Sequence, residues 1–137
     1  MVMGSSNYLD ARVRGTISPV EVRGLMLQKP DRLVVVDVRN EAVPSIIRGA
    51  IHIPEDQIAG RTNELPRRKL IVLYSWNSGC DLAIKATIKL LDAGFDARQL
   101  HGGIAGWILL RLPIRNPAVD LRTVKGSPVF CYVGAGL

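Results

Sequence analysis

Two runs of apolar, largely β-branched residues constrain this chain more than any other feature. Leu33-Val34-Val35-Val36-Asp37-Val38 and Leu70-Ile71-Val72-Leu73-Tyr74 are continuous rather than alternating. A strand that is apolar at successive positions is buried on both faces, which is the condition of a strand inside a parallel sheet covered by helices. The intervening segments fit that reading. Ser18-Pro19-Val20-Glu21 has the spacing of a helix start: Ser18 as N-cap, Pro19 at the first helical position and Glu21 three residues after the cap. That helix carries Val22, Leu25 and Met26 on one face and stops before Pro30. Ala50-Ile51-His52-Ile53 reads as a short strand ended by Pro54. Asp81 to Ala93 reads as a helix in which Ala83, Ala86, Leu90 and Ile84, Ile88, Leu91 line one side, with Gly94 as its stop. Ala97–Leu100 reads as a strand, Gly102-Gly103 as a turn and Ile104–Leu110 as a short helix. Strand and helix alternate from residue 17 to 115, so the expected class is α/β: a three-layer α/β/α sandwich with a mainly parallel sheet of about five strands.

The 137 residues suffice for one domain, and 47% hydrophobic with 22% charged residues is close to the globular average. No apolar run approaches the length needed to span a bilayer, so no membrane partner is expected. The start, MVMGSSNYLDARVRG, has no apolar signal-peptide core, which makes a cytoplasmic location the expectation. Two cysteines, Cys80 and Cys131, are too few for a disulfide framework. They make a zinc site only if His52 and His101 both join them, so neither a metal nor an organic cofactor is expected. The net charge of +6 suits an anionic ligand, but basic residues are scattered apart from Arg67-Arg68-Lys69. Aromatics are only 5%, so nucleic-acid binding is not expected. The sequence divides into a flexible arm over 1–15, a domain over 16–117 and an extension over 118–137. That extension has one candidate strand, Val129–Val133, through which homodimer formation is open, and Cys131 there reads as a core residue.

Open parallel sheets bind ligands beyond the carboxyl ends of their strands. Ser75-Trp76-Asn77-Ser78-Gly79-Cys80 lies at such an end, between the apolar strand 70–74 and the helix that follows. Its backbone N–H groups and the helix N-terminus together have the makings of an anion-binding nest. An ordinary strand-to-helix connection has the same small polar composition.

Five segments in order resemble the rhodanese family: Val35-Val36-Asp37-Val38-Arg39, Gly49-Ala50-Ile51-His52-Ile53-Pro54, Tyr74 to Cys80, Leu90 to Phe95, and Gly102-Gly103-Ile104-Ala105-Gly106-Trp107 with Leu112-Pro113-Ile114. The loop YSWNSGC is similar to the Tyr-Cys-Trp-Gly-Pro-Gly-Cys loop of one subgroup. The resemblance implies a sulfurtransferase scaffold, in which the loop's first cysteine takes a sulfane sulfur from a donor such as thiosulfate and passes it to cyanide or another thiol. It implies a small anionic sulfur compound or an acceptor protein as partner. It also implies that Asp37 and Arg39 brace the loop.

Ser75 stands where the family has its nucleophilic cysteine. A hydroxyl ionises only with help from an adjacent base, and it forms no disulfur bond. The expected function is therefore a rhodanese-like domain without sulfurtransferase activity that binds an anion or a partner. The alternative is a thiosulfate sulfurtransferase, acting through Cys80 or through a cysteine that Ser75 replaces. Cys80 reads as a surrogate or resolving thiol at the helix start, or as a small apolar loop residue. Trp76 reads equally as a rim residue and as a ring laid over the loop's own base. A second departure is Ser45-Ile46-Ile47-Arg48, where the family commonly has Gly-His-Ile-Pro; Ile46 lacks the polar anchor of a histidine.

Overall fold

A computed structural model of the chain describes residues 5–40 and 45–115. Helices α1 (Ser5–Gly15), α2 (Pro19–Gln28), α3 (Glu55–Ile58), α4 (Leu82–Asp92) and α5 (Gly103–Leu109) alternate with strands β1 (Thr16–Ile17), β2 (Leu33–Asp37), β3 (Ile46–Ile47), β4 (Ile51–His52), β5 (Leu70–Tyr74), β6 (Ala97–Leu100) and β7 (Ile114–Arg115). The central sheet has five parallel strands in the order β1-β6-β5-β2-β4. β3 and β7 form a separate antiparallel pair, Ile46 opposite Arg115 and Ile47 opposite Ile114. This is the α/β sandwich with a mainly parallel sheet that the sequence implies.

The two apolar runs occupy the middle of the sheet, where β2 and β5 pair along their whole length from Leu33↔Leu70 to Asp37↔Tyr74. Side chains alternate across the sheet, and each face has its own core. Leu33, Val35, Val72 and Tyr74 pack on one side with Val22 of α2 and Ile104 and Trp107 of α5. Val36, Ile71 and Leu73 pack on the other with Ala83, Ala86 and Leu90 of α4 and Ile58 of α3. The helix ends follow their local chemistry. Ser18 Oγ accepts from Glu21 N–H at 3.1 Å, capping α2. At the end of α4, Gly94 adopts φ +86°, Gly94 N–H donates to Leu91 O and Phe95 N–H to Leu90 O, which together satisfy two terminal carbonyls.

Three expectations need correction. Residues 5–15 form α1 and not an unstructured arm. Its apolar side chains Tyr8, Leu9 and Val13 are all exposed, so it has no buried stripe and leaves no periodic signal in the sequence. Arg12 and Arg14 in its last turn suit a helix C-terminus, and Thr16 Oγ1 donates to Arg12 O at 2.7 Å. On α4, only Ala83, Ala86 and Leu90 (with Thr87) are buried, while Ile84, Ile88 and Leu91 are 44%, 52% and 49% exposed. They form an adjacent stripe rather than part of the core face. Finally, Arg67-Arg68-Lys69 before a strand reads most simply as a solvated turn, but Arg67 stacks on Phe95 at 4.3 Å and donates to Ala93 O at 2.7 Å, tying the strand approach to the end of α4. The expected strand 129–133, Cys131 and the dimer contact assigned to the extension lie outside the described residues. No helix among the described residues is long and apolar enough to cross a membrane.

Candidate active-site loop

The loop Ser75–Cys80 leaves the carboxyl end of β5, a strand buried at every position after Leu70, and enters α4 through Asp81. Its path is fixed from below by α5. Ile104 N–H donates to Ser75 O at 2.9 Å and Ala105 N–H to Trp76 O at 3.0 Å, so the first turn of α5 holds the first two loop carbonyls. Contact this close requires glycine at 103. A Cβ there would lie 2.7 Å from Ser75 O, 2.8 Å from Asn77 N and 2.9 Å from the Trp76 carbonyl carbon, and the residue sits at φ +61°.

On the other side the loop rests on a buried polar cluster. Asp37, at the end of β2, is fully buried and Arg39 is 1% exposed. Their ion pair is bidentate: Arg39 Nη2 meets Asp37 Oδ2, and Nε lies 3.0 and 3.1 Å from the two carboxylate oxygens. Arg39 N–H also donates to Asp37 Oδ1 at 3.0 Å, and Nη2 to Ser45 O at 2.7 Å. Tyr74 O–H donates to Asp37 Oδ2 at 3.0 Å and accepts from Ile47 N–H at 3.0 Å. His52 Nε2 donates to Arg39 O at 2.6 Å. Every buried side-chain nitrogen and oxygen among the described residues has a partner, the condition under which buried charge is tolerated. Burial, followed by the Asp37 charge, pushes the Tyr74 phenol well above its ordinary 10, against the smaller pull of Arg39 and the Ile47 N–H.

The Arg39 guanidinium lies 4.5 Å from the centre of the Trp76 ring, and Trp76 is 4% exposed. Of the two readings of Trp76, the ring over the loop's base is the observed one, with a cation–π contact added. Asp37 and Arg39, the pair to which the resemblance assigns a bracing role, lie beside the loop: Arg39 stacks on Trp76, and Asp37 accepts from Tyr74, the residue before the loop. Ile46 and Ile47, in the segment that departs from the family pattern, are buried as strand β3. The roles of the Tyr74 phenol, the Ser45 carbonyl and Gly103 are not visible in residue type alone; the Gly-Gly pair before a helix was the one available signal.

Within the loop, Ser75 is 1% and Cys80 3% exposed, and Ser75 Oγ lies 3.0 Å from Cys80 Sγ. Asn77 closes the outer turn: its Oδ1 accepts from Gly79 N–H at 2.9 Å and its carbonyl from Cys80 N–H at 3.2 Å. Ser78 and Gly79 are the exposed tip. An anion reaching the Gly79 and Cys80 amides therefore competes with Asn77. Among the described residues no group of three or more His, Cys, Asp or Glu side chains is arranged to hold a metal ion.

The family model for the rhodanese-like domain matches residues 18–110. The chain belongs to the rhodanese-like family. Solved structures agree with this fold. A protein from Lactobacillus plantarum is 34% identical with a TM-score of 0.75, over 79% of this chain and 93% of that one. The BH2092 protein from Bacillus halodurans is 26% identical with a TM-score of 0.72, over 81% and 83%. A rhodanese-like domain from Anabaena, at 22% identity and a TM-score of 0.65 over 77% and 86%, shares the fold. Among curated proteins, the HTH-type transcriptional regulator Rv0324 of Mycobacterium tuberculosis is 32% identical over 112 residues. That match covers 79% of this chain but only half of the regulator. Helix α1 lies outside the family match, which begins at Ser18 at the cap of α2.

Proposed function

We propose that this rhodanese-like domain has no sulfurtransferase turnover and works as a binding module, with Ser75 in the position of the family's nucleophile and the loop Ser75–Cys80 receiving a small oxyanion or an acidic group of a partner. The observation that carries this reading is the environment of Ser75. Its hydroxyl is buried and contacts Cys80 Sγ at 3.0 Å, and no histidine or carboxylate among the described residues hydrogen-bonds to it. Sulfur transfer needs a thiolate that attacks the outer sulfur of thiosulfate, breaks the S–S bond and expels sulfite with the electron pair. A serine without a base supplies neither the anion nor a stable product. One relative is named an HTH-type transcriptional regulator, and this chain spans half of it.

The reading is tested by titrating the chain with sulfate and thiosulfate while following backbone amide resonances, beside a thiocyanate assay with cyanide. It expects saturable shifts confined to residues 75–81 and no thiocyanate. Thiocyanate production, or no shift in the loop, overturns it.

The second reading, transfer through Cys80, is favoured by one fact: its sulfur already lies beside the Ser75 hydroxyl at the base of the loop. In that case Cys80→Ser abolishes thiocyanate production that the unaltered chain supports.

A further inference from the structure

Helix α1 and helix α4 lie on either side of a groove of about 490 Å3, a volume in the range of small-molecule sites. Its apolar walls include Tyr8 from α1 and Ile84, Ile88 and Leu91 from α4, the stripe that the core does not use. Four such side chains facing one groove make a larger apolar surface than singly scattered residues do. The polar part, with Thr16, Ser78, Thr87 and Gln99, carries one cation, Arg12, among the described residues. Arg12 and His101 line the groove, no acidic side chain does so among the described residues, and Arg12 makes no ion pair with any described residue. One end reaches Ser78, at the exposed tip of the loop. One wall is built by helix α1, which lies outside the family match.

We propose that this groove is a binding site for a free amphipathic carboxylate, a medium-chain or aromatic acid. Its apolar body lies between Tyr8 and the Ile84/Ile88/Leu91 stripe, and its carboxylate meets Arg12 and the His101 ring N–H. Charge complementarity selects an anionic head, and the volume and apolar walls select a body larger than a bare oxyanion. Because the groove touches Ser78, occupancy is felt at the loop, which makes the ligand a modulator of whatever the loop binds.

The test titrates the full chain with octanoate, 1-octanol and acetate, reading backbone amide shifts, with sedimentation at several protein concentrations. Octanoate is expected to give saturable shifts at residues 8–15 and 84–91, with octanol weaker and acetate silent. Ile88→Asp, at a position already half exposed, is expected to weaken octanoate at least tenfold. Arg12→Gln is expected to weaken octanoate several-fold and leave octanol unchanged. The proposal is overturned if octanoate gives no saturable shift in these helices, if octanol matches octanoate, or if neither variant alters the affinity. It is also overturned if sedimentation shows that a second copy of the chain covers the groove.

Discussion

The hydroxyl of Ser75 and the thiol of Cys80 face each other at 3.0 Å inside a six-residue loop, with both residues nearly removed from solvent. The first prediction follows from that distance. A sulfur placed at position 75 by Ser75→Cys comes within reach of Cys80 with only side-chain rotation and a small loop adjustment. Under mild oxidation this variant is expected to form an intramolecular disulfide, seen as a loss of two hydrogens in intact mass that dithiothreitol reverses. Two thiols that both stay free under the same oxidant would mean that the loop holds them apart.

The Asp37–Arg39 pair sets the second. Removing one partner of a buried, fully hydrogen-bonded pair leaves the other charged and unpaired, at a cost of about 3–5 kcal/mol. Asp37→Ala also takes the acceptor from Tyr74 O–H. Urea unfolding is expected to show a loss of this order, together with a change in Trp76 fluorescence as the Arg39 stack loosens. A loss below about 1 kcal/mol, the range of exposed pairs, would contradict the bracing role.

Gly103 and Gly106 give a matched pair in one helix. Gly103→Ala drives a Cβ into the Ser75, Trp76 and Asn77 backbone at a left-handed φ, whereas a Cβ at Gly106 lies 3.5 Å from His101 O, an ordinary contact. Gly103→Ala is expected to cost about 1–3 kcal/mol or more from backbone strain alone and to shift the amide resonances of residues 75–80. Gly106→Ala is expected to be neutral, or stabilising by up to about 1 kcal/mol through helix propensity. Equal effects of the two would show that the loop does not rest on Gly103.

Tyr74 provides a pH signature. Its pKa is raised above the unfolded value of 10 in the folded protein, chiefly by burial and then by Asp37. The folded state therefore holds the phenolic proton more tightly. The resulting stabilisation is complete below pH 10 and is lost as pH rises through the folded-state value above it. Unfolding free energy measured from pH 8 upward should fall in that alkaline range, and Tyr74→Phe should remove this part of the slope. The same variant is expected to cost about 1–3 kcal/mol near neutral pH, because Ile47 N–H loses its acceptor. An unchanged alkaline slope in Tyr74→Phe would assign it to other groups.

Much of this architecture was legible because the strongest sequence signals report burial. The continuous runs at 33–38 and 70–74 became the paired central strands, and Ser18, Pro19 and Gly94 marked helix ends by local chemistry. α1 was not legible, since no apolar stripe of it is buried. β1, β3 and β7 are two residues each, too short for a pattern, and the equally short β4 was legible only within the run Ala50–Ile53 before Pro54. The stripe Ile84, Ile88, Leu91 is indistinguishable by residue type from Ala83, Ala86, Leu90, and only packing separates the solvent-facing set. At the loop, the resemblance pointed to Ser75–Cys80 and to Asp37 and Arg39, and the fold brings Arg39 against Trp76. The Tyr74 bridge to Asp37 and Ile47 joins residues 37 and 27 positions apart in sequence, and no spacing rule encodes it.

The central claim is that the chain carries a rhodanese-like loop from which the sulfur-accepting thiol is missing. Its most direct test is the intact mass of the protein after incubation with thiosulfate, before and after cyanide, on the unaltered chain and on Ser75→Cys. The account predicts no added sulfur on the unaltered chain. A cyanide-removable gain of one sulfur atom on that chain would contradict it and assign the sulfur to Cys80 or Cys131. Uptake by Ser75→Cys alone would show that the scaffold keeps its chemistry and that the nucleophile is the missing part.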